Sequence, residues 1–189
     1  MKKSLSIPPI VQDGDMVLRA TAKPVTPEQF GTKELKAILL QMSAALAKEH
    51  DGVAIAAPQI GVSLRIFLVS HKIFRNEDGE ELDTEDMVVI NPEIIKLSKK
   101  KKKVPEGCLS VRWYYGNTMR HEKATIRAYD ETGKAFTYGG SGLMAQIFQH
   151  ETDHLNGTLF IDHATDIEKM SDEQVAKMKK EYETHHASK

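Results

Sequence analysis

Residues Gln149 to Gly157 read QHETDHLNG, with His150 and His154 four apart and Glu151 directly after the first histidine. On an α-helix, side chains four apart face the same way, so both imidazoles can reach one ion. In H-E-x-x-H the two histidines bind a metal such as zinc and the glutamate serves as general base. Two buried core histidines beside an exposed glutamate would be the plainer reading. Leu143 and Ile147 fall on the same stripe in the preceding turns, so the rings face the interior and a metal site is expected.

Two imidazoles seldom hold a catalytic metal alone, so a third ligand is needed. A metzincin would carry a histidine three residues after Gly157, but Phe160 stands there. Glu168 and Glu173 are available downstream, in a polar stretch that reads as a solvated helix face. Upstream, Cys108 in EGCLS is the only thiol of the chain. A lone cysteine is commonly a small buried hydrophobe, yet Gly107 beside it lets the backbone approach a metal or substrate closely. The residues alone leave these candidates open.

The elements that position these groups follow from periodicity. Residues 1–25 read as an extended, proline-punctuated arm. Thr26 to Gln29 offers a capping box, although Gly31 moves the helix start toward Thr32. Ile38, Leu39, Met42, Ala45 and Leu46 form its apolar stripe, and Asp51-Gly52 stops it. GVAIAAPQIG leads into LRIFLVS, a buried strand. FRNEDGEELDTED is a polar loop, and MVVINPEII is another strand. Lys99 to Lys103 is expected to be a solvated loop, because adjacent like charges repel and stay hydrated. ATIRAYDETGKAFTY is a hairpin turning near Thr132-Gly133. Gly139 to Gly142 hinges into a helix from Leu143 to about Leu155, with Gly157 as its stop. Residues 171–186 form a surface helix capped by Ser171, and the final ETHHASK frays. The expected class is α+β. Small antiparallel or mixed sheets pack around a central metal-binding helix, with a C-terminal surface helix, in one domain over residues 1–189.

Composition narrows the function class. With 26 basic against 27 acidic residues, no global field marks a DNA binder. No run of 18 apolar residues suggests a membrane span, and the N-terminus has no apolar run of signal-peptide length. A single cysteine fits a reducing compartment, so a cytoplasmic location is expected.

GVAIAAPQIG, EGCLS and HETDH, in this order, resemble the three signature motifs of the peptide deformylase family. The likeness extends to NPEII and to QHETDHLNGTLF, and runs from about Ile7 to Asp162. It implies a metal held by Cys108, His150 and His154, with Fe²⁺ first and Zn²⁺, Ni²⁺ or Co²⁺ as substitutes. It also implies hydrolysis of the N-terminal formyl group of nascent formyl-methionyl peptides, with Glu151 as the acid–base residue. The Gln59 amide and the Leu109 N–H are the implied oxyanion donors. Gly52, Val53, Ala54, Glu106, Gly107, Leu143 and Ile147 are expected around the substrate. The peptide beyond methionine is expected to pair along the first motif as an added strand. A transient ribosome contact through the lysine run is a further expectation.

The chain departs from the family twice. Ala54 stands where the pattern Gly-x-Gly-x-Ala-Ala-x-Gln has its second glycine, so its methyl either crowds the substrate or is absorbed at negative φ. Arg112-Trp113 stands where many members have a proline-containing turn. Two alternatives accompany the hydrolase reading: a zinc endopeptidase ligated by Glu168 or Glu173, and a formyl-peptide-binding protein without turnover. Asp153 is expected either to pair with Arg120 or to be exposed polar surface.

Overall fold

Two antiparallel sheets and three helices build the fold in the computed structural model, which describes residues 6–74, 79 and 82–186. Strands β1 (Ala54–Ala56), β2 (Ile66–Val69), β3 (Met87–Leu97), β6 (Lys123–Tyr129) and β7 (Ala135–Ser141) form one sheet in the order β1-β2-β3-β6-β7. β4 (Lys101–Gly107), β5 (Tyr114–His121) and β8 (Thr165–Lys169) form the second, in the order β4-β5-β8. The helices are α1 (Lys33–Ala47), α2 (Leu143–Leu155) and α3 (Asp172–His186). All pairings within the sheets are antiparallel.

The five-stranded sheet is buried on both faces at its β1–β2 side, which explains the uninterrupted apolar run of β2. Phe67 and Val69 join a cluster with Ile126, Ile147 and Phe148, on the side of α2. Ile66 and Leu68 join another with Met42, Leu46 and Ile90, on the side of α1. Successive side chains of a strand point to opposite faces, so a strand between two helices must be apolar throughout. Phe67 and Phe148 are fully buried, a contribution of ~1.5–3 kcal/mol each. This packing holds α2 rigidly against the sheet.

Helix α1 starts at the later of the two readings. Gln29 Oε1 accepts from Thr26 N–H at 2.7 Å, but the turn it closes is a short 3₁₀ helix, Pro27–Gln29. Thr32 Oγ1 accepts from Leu35 N–H at 3.2 Å and caps α1. The helix ends at Ala47, ahead of Asp51. At α3, Ser171 and Gln174 cap each other: Gln174 N–H donates to Ser171 Oγ at 3.2 Å, and Ser171 N–H to Gln174 Oε1 at 2.7 Å. The hairpin turn near Gly133, with φ of +86°, lies between β6 and β7. The polar loop Phe74–Asp86 falls partly outside the described residues, as do residues 187–189 of the expected fraying tail.

The lysine run corrects an expectation. Lys101, Lys102 and Lys103 are the start of β4, paired with His121, Arg120 and Met119 of β5, and are not a loop. β4 is the free edge of its sheet, and these three side chains stay exposed. Hydration relieves their repulsion, and lysines on an edge discourage a further strand from adding. Lys103 also pairs with Asp166 at 2.6 Å, and Lys100 with Glu122 at 2.9 Å. Strand β8 carried no readable signal, since it is exposed at every residue and has no apolar alternation.

The N-terminal arm ties together the segments around Gln59 and Ser110, and a tight turn closes the site helix. The arm crosses both remaining motifs: Val11 N–H donates to Gln59 O at 2.8 Å and Asp13 N–H to Ser110 O at 2.7 Å. After α2, Gly157 turns the chain at φ +77°, and a Cβ there would lie 2.5 Å from the Arg19 carbonyl oxygen. Gly157→Ala is therefore expected to cost at least ~2 kcal/mol, through the left-handed backbone and the collision with main chain. Thermal unfolding should show a fall in Tm of about 4–8 °C; an unchanged Tm would contradict the tight approach.

Candidate metal centre

Cys108, His150 and His154 bring their donor atoms within 4.8 Å of one another, and they are the one such group among the described residues. α2 supplies both histidines on its inner face, with ring centroids 5.0 Å apart. The β4–β5 connection supplies Cys108, whose Sγ lies 3.2 Å from His154 Nε2. A tetrahedral ion bound at ~2.0–2.1 Å by nitrogen and ~2.3 Å by sulfur holds its donors roughly 3.3–3.6 Å apart, so this spacing suits one small divalent ion. The donor set fits as well, since thiolate and imidazole are ligands for zinc and iron. Glu168 and Glu173 are exposed and lie outside the group.

A buried acidic network stands behind the rings. Glu106 Oε2 lies 3.3 Å from His150 Nδ1, and Arg120 donates to Glu106 at 2.7 and 3.0 Å. Arg120 also donates to Asp153 at 2.6 Å, which is the expected Arg120–Asp153 pair. Burial pushes the Glu106 carboxyl up, but hydrogen bonds from His150 and Arg120 outweigh it and hold it to about 2. A carboxylate on Nδ1 fixes the ring's orientation and leaves Nε2 to face an ion. Burial pushes His150 down, yet Cys108 and Glu106 carry it well above its ordinary value, while burial and the neighbouring His150 hold His154 well below.

Glu151 is 3% exposed, and its Oε2 has no hydrogen-bond partner. Burial lifts its carboxyl to about 7, against a smaller lowering by His150. Gln59, 2% exposed, accepts from Ala56 N–H through Oε1 at 2.8 Å, which turns its amide nitrogen toward the sulfur. That nitrogen donates to Cys108 Sγ at 3.6 Å and to Ser110 Oγ at 3.2 Å. Leu109 is buried, and its carbonyl accepts from the Gln12 side chain at 3.0 Å. Ser110 was not singled out in the sequence; only its place two residues after the thiol, in the same motif, could have flagged it.

Gln59, Cys108, Leu109, His150 and Glu151 line a cleft of about 260 Å³, and His154 lies behind its wall. Gly52, Val53 and Ala54 border one wall, Glu106 to Leu109 another, and Leu143 and Ile147 of α2 a third, with Glu151 and His150 between them. Leu143 is 50% exposed and stands at the rim, whereas Ile147 is buried. Gly107 is required: a Cβ there would lie 2.6 Å from the Tyr115 ring. Ala54 is absorbed without backbone strain, since no positive φ occurs there and its methyl packs in the cluster with Ile147. Glu106 borders the cleft, but its carboxylate is committed to Arg120 and His150.

Residues 7–170 match the family described as polypeptide deformylase. The chain belongs to this family. It is 46% identical to the peptide deformylase of Dehalococcoides mccartyi (strain BAV1) over 113 residues, which is 60% of this chain and 62% of that one. It is 39% identical to the peptide deformylase of Carboxydothermus hydrogenoformans over 158 residues, 84% of this chain and 93% of the relative. The match spans about three fifths of the length of four of these curated relatives. Among solved structures, the Met-Ala-Ser-bound class I type b peptide deformylase of Acinetobacter baumannii superposes with a TM-score of 0.76 at 31% identity. That superposition covers 85% of this chain and 99% of the other. GVAIAAPQIG, EGCLS and HETDH, the segments that resemble the family's motifs, all contribute residues to the cleft. No described helix is long and apolar enough to cross a membrane.

Proposed function

We propose that this chain hydrolyses the N-terminal formyl group of formyl-methionyl peptides of newly made proteins, releasing formate. The observation that carries the reading is the convergence of one sulfur and two imidazoles beside a buried glutamate whose Oε2 has no hydrogen-bond partner. Membership of the deformylase family supports it, as does the related Acinetobacter enzyme with Met-Ala-Ser bound.

Cys108, His150 and His154 would hold one divalent ion, Fe²⁺ first and Zn²⁺ second, with Ni²⁺ or Co²⁺ as substitutes. Such an ion acidifies water to a pKa near ~7 and polarises a carbonyl. Glu151 accepts the proton of the attacking water and returns it to the departing amine, a role suited to a carboxyl lifted to about 7. The Gln59 amide and the Leu109 N–H donate to the oxygen as it gains charge. Gly107 and the backbone at 52–54 border the cleft, and a tight wall there would exclude a methyl beyond the carbonyl. Ile147 and Ala54 offer an apolar surface for the methionine side chain, with Leu143 at its outer edge. Glu106 holds the His150 ring. A thiolate ligand is stable in a reducing compartment, consistent with the cytoplasm.

The test is formate release from formyl-Met-Ala-Ser, run anaerobically with iron and again with nickel. Turnover with either ion is expected, and none with acetyl-Met-Ala-Ser. Metal bound without formate release would favour a binding protein instead. In the same assay, Gln59→Ala should lower kcat by ~10²–10³-fold, as loss of one oxyanion donor does. A fall of less than threefold would remove Gln59 from the reaction.

A further inference from the structure

One side chain joins the two lips of the cleft. Arg112, in the β4–β5 connection, reaches across to the α1–β1 connection, donating to Asp51 Oδ2 at 2.7 Å and also to the Glu49 carboxylate. Its guanidinium carbon lies 4.5 Å from the centroid of the Trp113 ring. The Arg112 side chain is 16% exposed. Burial pushes its pKa down, and the carboxylates of Asp51 and Glu49 more than offset this, so the guanidinium stays charged. A planar fork engaging two carboxylates and a ring is more firmly held than a single exposed ion pair.

Arg112 and Trp113 both line the cleft, outside the group of metal-binding donors. Beside them Tyr114 and Leu143 leave apolar surface exposed. An extended peptide advances ~3.3 Å per residue. With its formyl group at the donors, the residues after methionine therefore reach the outer part of a cleft this small. There an aromatic surface gains by being covered with another large apolar side chain.

We propose that Arg112 and Trp113 are specificity-determining residues. Trp113, braced by Arg112, is a platform for the side chain of the second or third residue of the peptide, and it favours large apolar or aromatic side chains there. This inference rests on the deformylase reading. The plainer role for Arg112, a staple between two loops, predicts no such preference.

The test compares kcat/KM for formyl-Met-Ala-Ser, formyl-Met-Phe-Ser and formyl-Met-Ala-Phe in the metal-loaded chain. At least one phenylalanine peptide should be preferred by about tenfold, the scale of one aromatic contact plus its buried area. In Trp113→Ala that ratio should fall to near one, in Trp113→Phe most of it should return, and in Arg112→Met it should be intermediate. General damage to the cleft lowers all three substrates together and leaves the ratio intact. An intact ratio in Trp113→Ala, or no preference in the unmodified chain, overturns the inference. No formate from any peptide with metal bound overturns the deformylase reading on which it stands.

Discussion

Replacing Glu151 with glutamine is expected to lower formate release by ~10²–10⁴-fold while metal content stays at that of the unmodified chain. The substitution keeps the shape of the side chain and removes only its capacity to accept a proton. The position favours that function. The carboxyl is 3% exposed, one of its oxygens has no partner, and burial brings its pKa to about 7. A group at that value can both take and return a proton near neutrality, whereas an ordinary surface glutamate is too weak a base. The residue also adjoins His150 in sequence and lines the cleft without joining the donor group. Because the variant removes a buried ionisable group, folding should be no weaker, and thermal unfolding provides the control. Measured kcat within threefold of the unmodified chain, at equal metal content, would take Glu151 out of the mechanism.

Removing the sulfur should have the second largest effect. Cys108→Ala leaves the two imidazoles of α2 without their third partner. Metal binding to a full set of four ligands is worth ~10–16 kcal/mol in zinc-finger peptides, so one ligand accounts for an affinity change of about 10²–10³-fold. Dialysed protein should therefore lose most of its metal and its turnover together. Elemental analysis and the formate assay read the two quantities separately. The endopeptidase alternative makes the opposite prediction, that Cys108→Ala keeps its ion. Full metal retention in that variant would return the question to Glu168 and Glu173, although both are exposed and outside the donor group.

Much of the site was legible because its parts are local. The histidine pair needs only helical spacing, and the helix was marked by Gly142 before it and Gly157 after it. The two-sided burial of β2 was legible in IFLV for a similar reason. Ala54 is instructive: two outcomes were open, and the methyl is absorbed because the backbone there has no positive φ. The lysine run was misread because charge repulsion argues for solvation, and an exposed edge strand is solvated too. Strand β8 had no signal at all. Its residues are exposed, and its place is set by pairing with β5 rather than by any pattern of its own.

By itself the sequence determined the histidine pair of the candidate site and the face of the helix that carries it, because spacing along one helix translates directly into direction in space. Only the tertiary structure decided that Cys108 lies 3.2 Å from His154 and that Glu106 is bound to Arg120 and His150. It also decided that Arg112 crosses the cleft to Asp51. Each of these contacts joins residues remote in the chain, and their distances depend on how two sheets and a helix pack, which no local pattern encodes.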